Sequence, residues 1–148
     1  MHECGTPSFD NLTDMDYWGA HMDASLVDYV HARLNPEMLL GFMQLLWREV
    51  IEVDGRVYWA DGFSDENLEA WKQTETFRQG GMPAVQAVVN HVHVEDLFHT
   101  VADGVSVDNL CFVACVLGAA WKGRLETAFP DRRFSVEVGG TEIWFSEP

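Results

Sequence analysis

Fixed positive charge is scarce in this chain: two lysines and seven arginines face 24 acidic residues, a formal net charge of −15 over 148 residues. The first basic side chain is Arg33, so Glu3, Asp10, Asp14, Asp16, Asp23 and Asp28 all precede it. That deficit argues against nucleic acid as a partner, because phosphate contacts need clustered Lys and Arg. Cysteine is scarce too. Cys4, Cys111 and Cys115 are an odd number without framework spacing, which predicts no disulfide scaffold and a reducing, cytoplasmic setting. Cys111 and Cys115 are four apart in an apolar run, so on a helix they share a face as small buried hydrophobes. Long apolar runs are missing as well: the longest, Leu110 to Trp121, has 12 residues, against roughly 20 for a bilayer span. The opening MHECGTPSFD has neither the basic nor the apolar stretch of a signal peptide. The expectation is a soluble protein with no membrane partner.

Catalytic signatures are also absent. There is no Gly-x-Ser-x-Gly, no cysteine in an electropositive setting, and no glycine-rich loop followed by Lys. Paired carboxylates abound, but in so acidic a chain their proximity is expected by chance, so no general acid or base stands out. The reading is non-enzymatic, with no cofactor implied.

What is present suffices for a packed core. Hydrophobic residues make up 47 % of the chain, with six Trp, nine Phe and three Tyr, and disordered chains are poor in aromatics. The length suits one domain over 1–148. Residues 1–22 read as an acidic N-terminal arm whose Phe9, Leu12, Tyr17 and Trp18 pack on the body.

Helical spacing of Leu26, Val27, Val30 and Leu34 predicts a helix over about 24–34 with Asp23 as its cap. Asn35-Pro36-Glu37 then restarts a helix: a cap, a proline at the first helical position and an acid at the positive dipole end. Its residues from Met38 to Trp47 are apolar nearly all round, which predicts burial on most sides. Asp54-Gly55 between alternating apolar residues signals a hairpin. Ser64-Asp65-Glu66 opens a short helix to about Lys72. Gly80-Gly81 breaks the chain, and Pro83 starts another helix. Ser106 caps the longest helix, about 107–128, whose small residues Cys111, Ala114, Cys115, Gly118 and Ala119 invite close approach of another element. Pro130 stops it.

A second hairpin turns at Gly139-Gly140. With Val138 opposite Thr141, Val136 faces Ile143 and Phe134 faces Phe145. The fold class is therefore α+β: about five helices around a long central helix, with the two hairpins joined in one small antiparallel sheet.

Two constellations are functional candidates. The first is acidic. Residues 1–60 hold ten acids and three bases, 61–105 eight and two, and 106–148 six and four. Asp61, Asp65, Glu66, Glu69 and Glu75 cluster around Lys72, and Asp14 and Asp16 belong to a second group with Asp23 and Asp28. Trp71, Trp59, Tyr17 and Trp18 lie beside these acids. Aromatic anchors carry binding energy while charges set on-rate and specificity. This pattern points to a basic protein partner, in an inhibitor, immunity-type or nucleic-acid-mimicking role, with Asp14, Asp16, Asp61, Asp65, Glu66, Glu69, Trp71 and Glu75 as the contact residues. The bland alternative is a solvated, solubilising face.

The second constellation is Asn90-His91-Val92-His93-Val94-Glu95-Asp96-Leu97-Phe98-His99. Its side chains suit a divalent metal. On a strand His91 and His93 point the same way, whereas on a helix His91, Glu95 and His99 form a line. A small-molecule or metal-binding domain, enzymatic or not, using His91, His93, Glu95 and His99 is the alternative function, and a small subunit of a larger assembly is a third.

Overall fold

The structure, a computed structural model, describes residues 25–98 and 106–148. The expected arm over 1–22, the cap at Asp23, and Cys4, Asp14, Asp16 and His99 lie outside the described residues.

Among the described residues five helices and five short strands follow in order. They are α1 (Leu26–Arg33), α2 (Pro36–Leu46), β1 (Val50–Val53), β2 (Arg56–Trp59), α3 (Asp65–Trp71), α4 (Glu75–Val89), β3 (Val92–His93), α5 (Val107–Ala128), β4 (Ser135–Gly139) and β5 (Glu142–Ser146). A 3-10 turn, Val94–Phe98, follows β3. The class is α+β, as the patterning requires. Among the described residues no helix is long and apolar enough to cross a membrane.

The helix starts obey their capping residues. Asn35, Ser64 and Ser106 each accept a hydrogen bond from the backbone N–H three residues on. Helix α1 is capped by Ser25, whose hydroxyl and the Asp28 carboxylate form a reciprocal capping box. The Ser25 backbone N–H holds the Asp28 carboxyl below its ordinary value. Helix α4 begins before the expected break, with Thr74 as its N-cap, and is kinked at Gly81 (φ 64°, ψ −157°) ahead of Pro83.

Helix α5 is central. Its Leu110, Ala114, Leu117, Trp121 and Leu125 pack with Val57, Trp59, Val94, Ile143 and Phe145 in the main core. The Trp59 ring stands edge-on to both Trp121 and Phe145, at 4.9 and 5.0 Å between centroids. The small-residue stripe does allow close approach: a Cβ on Gly118 would meet the Val138 side chain at 2.6 Å. Tyr58, Leu68 and Val85 form a second core under α3 and α4.

The hairpins do not join into one sheet, contrary to expectation. β1 and β2 form a two-stranded sheet, while β3, β5 and β4 form a separate three-stranded one. The reason lies at the outer edge of β2, where side chains occupy the backbone groups a neighbouring strand would use. Val57 N–H donates to the Glu147 carboxylate (2.9 Å), and Trp59 N–H donates to the Asn90 side-chain oxygen (3.2 Å). The Val57 carbonyl accepts from Gln86 (2.9 Å) and Asn90 (3.2 Å). Gln86 also donates to Glu147 (2.8 Å), and its oxygen accepts from Arg56 and from the Glu147 backbone N–H (3.0 and 2.8 Å).

The first hairpin turns at Asp54-Gly55, both with positive φ (51° and 76°), as a type I′ turn requires. The second differs from its expected register by two residues: Val138 faces Ile143 and Val136 faces Phe145. Its turn is Gly140-Thr141, with Gly140 alone at positive φ (67°). A slip of two leaves every side chain on its expected face, because strand periodicity is two.

Cys111 and Cys115 are both half-buried on α5, short of the full burial expected of them.

Candidate functional site

The acidic stretch begins where α3 begins. Asp65 and Glu66 occupy its exposed first turn, where carboxylates complement the positive end of the helix dipole. The other expected contact acids have cations of this chain beside them. Glu69 bonds Lys72 (2.5 Å), which also lies 3.6 Å from Asp54. The Glu69 hydrogen bond raises the Lys72 pKa. Glu75 pairs with Arg78 at 3.1 Å. Asp61 pairs with Arg48 at 2.5 Å, whose guanidinium lies 5.0 Å over Trp59 and 5.3 Å over Trp121.

Of the expected aromatic anchors, Trp71 is half-buried against the second core. Trp59 is only 3 % exposed and belongs to the main core, not to a surface. Tyr17 and Trp18 lie outside the described residues.

The large exposed apolar surface lies on α1 and α2 instead. Helix α2 has no fully buried residue, which corrects the expectation of burial on most sides. Among the described residues its end near α5 is engaged: Leu45 and Leu46 pack on the core, and the Trp121 indole N–H donates to the Leu45 carbonyl (2.8 Å). Much of the rest is exposed (Met38 62 %, Leu40 60 % and Trp47 57 %), while Phe42 is half-buried. Val27, Val30 and Leu34 continue the apolar surface along α1 and its end, with Val27 74 % exposed. Large contiguous apolar patches are uncommon on monomeric proteins, which makes these side chains a candidate contact surface.

The histidine cluster is resolved in favour of the strand geometry. Helix α4 ends at Val89 with Asn90 as its C-cap, and Val92–His93 pairs antiparallel with β5. His93 stands directly opposite Glu142. The His91 and His93 rings meet edge-on, 4.3 Å apart. His91 Nε2 and His93 Nδ1 each lie 3.5 Å from a Glu142 carboxylate oxygen.

Glu142 was not anticipated. The expected acid, Glu95, sits in the 3-10 turn and accepts a hydrogen bond from the Thr141 hydroxyl, which holds its carboxyl below the ordinary value. Beside His91 an open cleft of about 260 Å³ is lined by Ala87, Val88, His91 and Trp144.

No family model, curated protein or solved structure matches this chain. What the site does must therefore be argued from its own geometry. Two arrangements stand out among the described residues. One is a broad apolar face on an acidic body, suited to protein contact; the other is a compact group of two imidazoles and a carboxylate, suited to a cation.

Proposed function

We propose that the chain is a non-enzymatic binding protein for a basic protein partner, in an inhibitor, immunity-type or nucleic-acid-mimicking role. The observation that carries this reading is the exposed apolar face of α1 and α2 on a body of net charge −15. Apolar side chains desolvated at the centre of an interface supply affinity, and surrounding charge supplies rate and specificity. Met38 and Met43 suit such a face, since the flexible thioether adapts to varied partner shapes. Asp65 and Glu66 steer a cationic partner, joined by Asp61, Glu69 and Glu75 where the partner's cations displace Arg48, Lys72 and Arg78.

The test is affinity capture on the immobilised full chain at low salt, with stepped salt elution, run beside a Leu40→Asp variant. A basic protein retained by the wild type, released as salt rises and lost from Leu40→Asp supports the reading. With that partner in hand, Asp65→Lys combined with Glu66→Lys slows association and flattens its salt dependence. No stoichiometric partner, or one held equally by Leu40→Asp, overturns it. A dimer in light scattering that Leu40→Asp dissociates would assign the face to self-assembly instead, the subunit alternative.

A further inference from the structure

We infer that His91, His93 and Glu142 form a binding site for a divalent first-row transition metal ion of the zinc type. The inference is independent of the partner-binding reading and uses a different surface. It begins with register. Strand side chains two apart share a face, and residues directly opposite across an antiparallel pair are close neighbours. His93 is opposite Glu142, His91 precedes His93 by two, and Trp144 follows Glu142 by two. Ile143, between them, points the other way into the core under α5. The β-pairing therefore gathers two imidazoles, a carboxylate and an indole on the side of the sheet away from α5.

Distances then separate a metal site from ordinary hydrogen bonding. The two histidine–carboxylate separations are both 3.5 Å, longer than a well-formed N–H···O bond of about 2.9 Å. Tetrahedral coordination with bonds of about 2.0–2.1 Å puts neighbouring ligand atoms roughly 3.3 Å apart. The three ligand atoms all lie within 4.8 Å of one another, so small side-chain rotations close them onto one ion. An ion between the rings would also draw both imidazoles in as neutral ligands, where two imidazolium rings 4.3 Å apart would repel.

The ligand set decides the class of ion. Two imidazole nitrogens with one carboxylate suit zinc, iron(II), cobalt or nickel; calcium and magnesium prefer all-oxygen sites. Glu95 and Glu137 add negative charge near the site. Glu95 is tied to Thr141, and Glu137 is the cross-strand partner of Trp144. Three protein ligands leave a coordination position open, as in sites that bind an exchangeable molecule. The exchangeable ligand would be a small molecule with an anionic or nitrogen donor. A cleft walled by Ala87, Val88 and Trp144 adjoins His91 itself, room for an apolar body attached to such a donor.

The experiment uses the tag-free full chain, stripped with chelator and titrated with zinc chloride and, separately, cobalt(II) chloride. One equivalent binds, the cobalt form shows visible ligand-field bands, and excess magnesium or calcium does not compete. Glu142→Gln and His93→Ala each weaken binding at least about tenfold, with the circular dichroism spectrum unchanged, because both positions are well exposed to solvent. Glu95→Gln, which removes a nearby charge but no ligand, weakens binding far less than either. In the wild-type chain zinc shifts the ring resonances of His91 and His93, a readout that needs no variant. Absence of a stoichiometric site overturns the inference. So does uptake undiminished in both Glu142→Gln and the His91→Ala/His93→Ala double variant, which would place the ion among other groups.

Discussion

Replacing Gln86 by Leu removes the hub that joins three separate parts of the fold. The amide is fully buried and makes four hydrogen bonds: to the Val57 carbonyl (2.9 Å), the Glu147 carboxylate (2.8 Å), the Arg56 guanidinium (3.0 Å) and the Glu147 backbone N–H (2.8 Å). Two of these partners are neutral and two are charged. At about 1 kcal/mol for each neutral bond and about 1.5–3 for each charged one, the gross loss is about 5–8 kcal/mol. Leu is close to Gln in size, and burying its apolar surface offsets about 1.5–3 kcal/mol. The Val57 carbonyl keeps its Asn90 donor (3.2 Å), whereas the buried Glu147 N–H is orphaned. The expected net destabilisation is therefore about 2–6 kcal/mol, a fall in melting temperature of about 6–20 °C for a chain of this size. Urea unfolding followed by tryptophan fluorescence measures it as a shifted midpoint at constant slope. Gln79→Leu, on the exposed side of the same helix, is the control and should change stability by no more than about 0.5 kcal/mol. A loss below about 1 kcal/mol for Gln86→Leu would refute the assignment of this amide as the hub.

Two further substitutions probe the cores. Gly118→Ala drives a Cβ to 2.6 Å from the Val138 side chain and should cost about 1–3 kcal/mol, partly restored by Val138→Ala in a double-mutant cycle; additive effects would show that the helix and sheet do not meet there. Tyr58→Phe should stabilise by about 1 kcal/mol, because among the described residues the buried hydroxyl has no hydrogen-bond partner. Burial raises the Tyr58 pKa, so its share of stability is full below the unfolded value near 10 and falls as pH rises further. The Phe variant should lose that alkaline slope, and a destabilised variant with the slope intact would contradict the placement of the ring.

Local signals in the sequence carried most of the helix starts and the first turn. Asn35-Pro36, Ser64, Ser106 and Asp54-Gly55 act through their own backbones, and each stands where its chemistry demands. Non-local pairing was harder to read. A two-residue strand such as Val92–His93 has no periodicity of its own, so its docking on β5 follows only from the tertiary fold. That docking brings Glu142 to the histidines across 49 residues of sequence, and no local pattern marks it. Helix α2 misled for a different reason. An apolar circumference says that a helix tends to be covered, yet it does not say by which chain.

The side-chain closure of the β2 edge also orders the life of the nascent chain. The first hairpin is complete once Trp59 has been made, and its apolar strands can pair early. The Glu147 carboxylate that occupies Val57 N–H comes 90 residues later. Until then the growing polypeptide carries a bare strand edge of the kind that templates pairing with another chain. Gln86 and Asn90 emerge between the two and can shield the Val57 carbonyl and Trp59 N–H first. A chain halted with residue 60 already outside the ribosome and residue 86 still inside would thus present the hairpin at its most adhesive, and emergence of α4 is the step that quiets it.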